Sequence, residues 1–94
     1  MSLEIIWSPL ALARLQKIRA YVALDKPDAA ERLATRIIAV VETLKHYPYI
    51  GRAGGEPGIR ELVTGGTPYI VHYRVRGTRV TILTVWHGAQ QREP

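Results

Sequence analysis

The sequence predicts an α+β domain of two layers, in which a pair of helices packs on one face of a hairpin-linked sheet. Two observations carry this. Apolar residues recur at helical spacing at Leu12, Leu15, Ile18 and Val22, and again at Ala30, Leu33, Ile37, Val40, Val41 and Leu44. Three strand-like runs with turn residues between them follow, over 59–63, 69–75 and 79–87. With the apolar run LEIIW at 3–7 as an opening strand, the order is strand, two helices, three strands.

Each element has a local reason. Ser8 suits a helix N-cap and Pro9 the first helical position, so the first helix runs from there to about Leu24. Arg14, Lys17 and Arg19 lie off its apolar stripe. Asp25-Lys26-Pro27-Asp28 opens the second helix, because proline fits its first turn and acids fit the positive end of the helix dipole. Pro48 stops it. The few residues between the helices make an antiparallel hairpin. Residues 51–58, GRAGGEPG, hold four glycines and a proline and read as a loop. Gly65-Gly66 marks one turn and Arg76-Gly77-Thr78 a short hairpin connection.

Length and composition set the limits. Residues 1–94 leave room for a single domain with one core, which can present a groove or a face but not a deep enclosed site. The chain has no cysteine, which removes disulfides and cysteine-held metals. His46, His72 and His87 have no ligand spacing, so no metal or cofactor is expected. No apolar run nears the ~20 residues that span a bilayer, and the first residues lack a signal-peptide pattern. The expected location is the cytoplasm, with no membrane partner. Thirteen Lys and Arg against eight Asp and Glu give a net charge of +5. Ten of the thirteen are Arg, which suits contacts to phosphate or carboxylate.

Simple alternation sorts the strand residues. Tyr69, Val71, Tyr73 and Val75 should face the helices. Trp86, by its size, joins them in the core. The free face then holds Arg60, His72, Arg74 and His87 together with Leu62, Ile70, Leu83 and Val85. Such a half-basic, half-apolar surface fits a partner helix, a peptide or nucleic acid. A phosphate-cradling loop is ruled out because the glycines follow a helix and precede a strand. Ser2 and Ser8 are the only serines, which leaves a nucleophilic triad without support. Metal-free RNA cleavage needs only a base, an acid and cations over the phosphate, and Arg60, Arg74 and His87 could supply them.

Over nearly its whole length the chain resembles the RelE/ParE superfamily of type II toxins. The opening WSPLALARLQKIRAYVALDKPDAAERL, the middle segments YPYIGR, GIREL and TPYIVHYRV, and the closing VTILTVWHGAQQREP carry the resemblance through their order and spacing. It implies a helix hairpin on a curled, mainly antiparallel sheet. It also implies the toxin of a plasmid-stabilisation or addiction module, which inhibits growth and is neutralised by a cognate antitoxin. Operator DNA would be met only through the antitoxin complex.

The superfamily divides. RelE-like members are mRNA interferases, cutting mRNA on the ribosome, whereas ParE-like members poison DNA gyrase. RelE-like enzymes often carry Arg early in the middle strand, where this chain has Ile70. Arg74 lies two residues on, about 7 Å away along the strand, too far to replace that cation without loss. GIREL and PYIV also look ParE-like. The ParE-like branch is therefore favoured, with gyrase as target and Leu62, Ile70, His72, Leu83 and Val85 as partner-binding residues. The alternatives are a RelE-like nuclease acting through Arg60, Arg74 and His87, and an inactive antitoxin-binding relative.

Overall fold

A computed structural model describes residues 2–89. Strand β1 spans Glu4–Trp7, helix α1 Pro9–Ala23 and helix α2 Pro27–Glu42, which tightens into a 3₁₀ turn at Thr43–Lys45. Strands β2 Arg52–Ala53, β3 Arg60–Val63, β4 Tyr69–Arg76 and β5 Arg79–His87 follow. They form one five-stranded sheet in the order β1-β5-β4-β3-β2. The sheet is antiparallel except for β1, which lies parallel to β5.

The expected α+β order holds, with one addition. The segment read as a loop contributes β2, because Arg52 and Ala53 pair with Glu61 and Arg60 before the Gly-rich turn begins. The β4–β5 turn works as the sequence implies. Gly77 has a φ of +57°, the left-handed conformation that a two-residue hairpin turn needs.

Ser8 joins three elements. Its hydroxyl accepts from the Ala11 N–H at 3.0 Å, capping α1, and donates to the Leu83 carbonyl at 3.0 Å. Its own N–H donates to the Ile82 carbonyl. Ser8→Ala removes a cap worth ~1 kcal/mol and a half-buried hydrogen bond of similar size. The expected loss is about 2 kcal/mol, read from urea unfolding midpoints; a loss under ~0.5 kcal/mol would mean that water replaces both contacts.

The core lies between the helices and the sheet. Ala11 and Leu15 of α1, with Ile37, Val41 and Leu44 of α2 and its 3₁₀ extension, pack with Leu62, Val71, Tyr73, Val80, Ile82 and Val85. The α1 stripe is therefore Ala11, Leu15 and Ile18; Leu12, expected inside, is exposed. The α2 stripe follows expectation, with Leu33 and Val40 at its edge.

Tyr73 braces the chain after α2. Its hydroxyl donates to the Pro48 carbonyl at 2.8 Å and accepts from the Gly51 N–H at 2.9 Å. Burial pushes the Tyr73 phenol above its ordinary value, partly opposed by the Gly51 N–H and by Arg60.

Candidate functional site

The two sides of the sheet differ from simple alternation because β5 carries a bulge. Tyr73 pairs with Ile82 and His72 with Thr84, so Leu83 is an extra residue opposite no partner. Before it, Val80 and Ile82 face the helices; after it, Val85 and His87 do. The alternation thereby shifts by one residue. Val85 is buried in the core at 1% exposure, whereas Trp86 pairs with Ile70 on the opposite face. His87 pairs with Tyr69 and meets its ring edge-on, with centroids 5.4 Å apart.

The β3 register makes a second correction. Arg60 pairs with Tyr73 and Leu62 with Val71, which puts both on the helix side. Leu62 belongs to the core, and Glu61 instead faces outward beside His72. Arg60 donates to the Gly51 carbonyl at 2.8 Å and lies 5.0 Å from the Tyr49 ring centroid. It clamps the chain before β2.

Of the residues expected on the free face, Ile70, His72, Arg74 and Leu83 are there; Leu62, Val85, Arg60 and His87 are not. The face gains Val63, Glu61, Arg52 and Trp86. At its centre the Glu61 carboxylate accepts from Arg52 Nε at 2.9 Å and lies 3.4 Å from His72 Nε2. Only a tenth of the Glu61 side chain is exposed. Beside this group a shallow hollow of about 420 Å³ opens between Leu10, the Gly55–Ile59 turn and Leu83.

The sequence held signals for both corrections. Apolar residues fall on even positions at Val80 and Ile82 but on the odd Val85, a phase break typical of a bulge. RELV has apolar residues at adjacent positions, so its inward side could not be read without the partner strand. Glu61 and Arg52 were missed because their meeting depends on β2.

Chemically, the face offers one buried carboxylate already engaged by two nitrogens, flanked by apolar side chains. Among the described residues no group of three His, Cys, Asp or Glu could hold a metal, and no helix is long and apolar enough to cross a membrane. The site is a shallow, open face with no enclosing walls, a shape that suits contact with an extended surface.

These features define a small basic protein with a helix-braced sheet, one face of which is open to a partner. The description of the ParE toxin of the type II toxin–antitoxin system parDE matches residues 5–92. The chain is 47% identical over 88 residues to Y4kP of Sinorhizobium fredii, a protein named as a toxin, covering 94% of this chain and 91% of that one. It is 36% identical over 87 residues to toxin RelE2 of Caulobacter vibrioides, covering 93% and 97%. A solved chromosomal ParDE toxin–antitoxin system from P. aeruginosa superposes with a TM-score of 0.85 at 25% identity, over 92% of this chain and 96% of that one. The chain belongs to the ParE toxin family of the RelE/ParE superfamily and is the toxin of a ParDE/RelE-type toxin–antitoxin system.

Proposed function

We propose that this toxin arrests growth by binding DNA gyrase, without cutting RNA itself, and that a cognate antitoxin neutralises it by covering Ile70, His72, Leu83 and Trp86. The scatter of the nuclease candidates carries the reading. Arg60 sits opposite Tyr73 and His87 opposite Tyr69, four residues apart along β4 or about 13 Å. Arg74 is on the other face. No single phosphate can lie near all three, whereas catalysis needs its groups within hydrogen-bond reach of the reacting atoms. Ile70, on the free face beside Val63 and Trp86, supplies no cation.

One observation favours a second reading, a ribosome-dependent RNA endonuclease. Glu61 and His72 stand side by side on the open face with Arg52, and the similar Caulobacter protein is named RelE2. This acid–base pair has its own cation, although little of the carboxylate is reachable.

The test uses purified protein from a preparation that arrests growth. Supercoiling by gyrase should be inhibited, gyrase-dependent DNA breaks should accumulate, and transcripts in arrested cells should stay intact. Unimpaired gyrase at a large excess of toxin, with transcripts cut within minutes of induction, overturns the proposal in favour of Glu61 and His72.

A further inference from the structure

The β4–β5 hairpin ends in a group of cations. Arg76 and Arg79 are direct cross-strand partners, and Arg74 pairs with Thr81 on the same face of the sheet. Cross-strand partners lie about 5 Å apart, and Arg74 follows Arg76 at about 7 Å along β4. Three guanidiniums therefore stand on one side of a narrow ribbon. Like charges directly opposite each other destabilise a sheet, so the Arg76–Arg79 pairing works against folding. Little offsets it. Arg79 Nε lies 3.5 Å from the Glu4 carboxylate, and both side chains are largely exposed, where an ion pair contributes little. Arg74 and Arg76 have no carboxylate partner among the described residues.

The group is open to a large partner. β3 begins at Arg60, opposite Tyr73, so it does not flank β4 beyond that point. Arg76, Gly77, Thr78 and Arg79 are all exposed, and the two-residue turn between the arginines keeps the tip thin. Val75 and Val80, the apolar residues of the tip, are turned toward the core.

We propose that this end of the hairpin binds the phosphate backbone of duplex DNA without reading its sequence. Arginine makes forked, charge-assisted contacts to phosphate, and binding would neutralise the repulsion that the hairpin carries alone. A protein partner fits less well. The centre of a protein interface needs an apolar or aromatic anchor, and the exposed side of the ribbon from Arg74 to Thr81 has none. Single strands fit less well too, because they are held by base stacking and this stretch contains no aromatic residue. Contacts to phosphate alone fix no sequence, so operator and random duplexes should be held alike.

The test needs only toxin and DNA, so its failure leaves the gyrase reading untouched. Fluorescence anisotropy follows a labelled random-sequence duplex of about 20 base pairs as purified toxin is added. Three phosphate contacts should weaken binding about fortyfold between roughly 50 and 200 mM salt. Arg74→Gln, Arg76→Gln and Arg79→Gln should each reduce the logarithmic salt slope by about one. Arg32→Gln, exposed on α2, should leave the slope unchanged. Arg76→Gln should also raise the urea midpoint, because it removes the like-charge pair, so its weaker DNA binding does not come from lost folding. No anisotropy change at the lowest salt, or a loss in Arg32→Gln equal to that in Arg76→Gln, would overturn the proposal. So would tighter binding of a thymidine single strand, equal binding of polyglutamate, or a lower urea midpoint for Arg76→Gln.

Discussion

Gly51→Ala is expected to cost about 3 kcal/mol of folding stability, a large part of what a domain of this size possesses. A Cβ at this position would lie 2.6 Å from the Tyr73 hydroxyl and 2.7 Å from the Glu61 carbonyl oxygen. Neither can retreat freely. The hydroxyl is tied to Pro48 and Gly51, and the carbonyl belongs to β3, where Arg52 and Glu61 pair. Tyr73→Phe is the milder change, leaving the Gly51 N–H and the Pro48 carbonyl without their partner at ~1–3 kcal/mol. The two changes should not add. Removing the hydroxyl relieves one of the clashes, so the double variant should be more stable than the sum predicts by about 1 kcal/mol. Urea denaturation of all four proteins measures this. Strict additivity would mean that the methyl is accommodated by movement of β2 instead.

Leu62→Ala should cost about 3 kcal/mol, while Leu83→Ala should cost under ~1 kcal/mol. Both residues are leucines on strands, and alternation alone puts them on one face. Leu62 is in the core opposite Val71, whereas Leu83 borders the open hollow. Truncating the first leaves a cavity that rigid neighbours cannot fill. Truncating the second removes only half-exposed surface. Thermal melts of the two variants decide it. Equal losses would show that the β3 register is not the one described. Leu83→Ala has a second readout, since it trims the face proposed for the antitoxin and should weaken that complex while sparing stability.

Much of the fold was legible because its signals are local. Ser8 and Pro9 mark the start of α1, Pro27 that of α2, and Gly77 the last hairpin. What failed was non-local. The sides of Arg60 and Leu62 follow from pairing with β4, and those of Val85, Trp86 and His87 from a bulge whose carbonyl is held by Ser8, 75 residues away. Arg14 looked like an outward-facing cation by helical spacing, yet its long side chain reaches Trp86. The resemblance identified the family despite these errors because it rested on the order of segments, not on side-chain direction. The Glu61–Arg52 pair was the least legible feature, since β2 is only two residues long and breaks no pattern.

The parallel pairing of β1 with β5 also governs when the molecule comes into being. Glu4 and Arg79 are partners, so β1 cannot be seated until β5 has also been made. At ordinary synthesis rates of ~5–20 residues per second, that wait lasts on the order of 4 to 15 seconds. During it α1 and α2 can form, but the sheet edge beside α1 does not exist. The hollow between α1 and the ends of β4 and β5, lined by Arg14 and His87, is equally absent until then. The open face and the sheet edge beside α1 therefore take shape together, once β5 has been made.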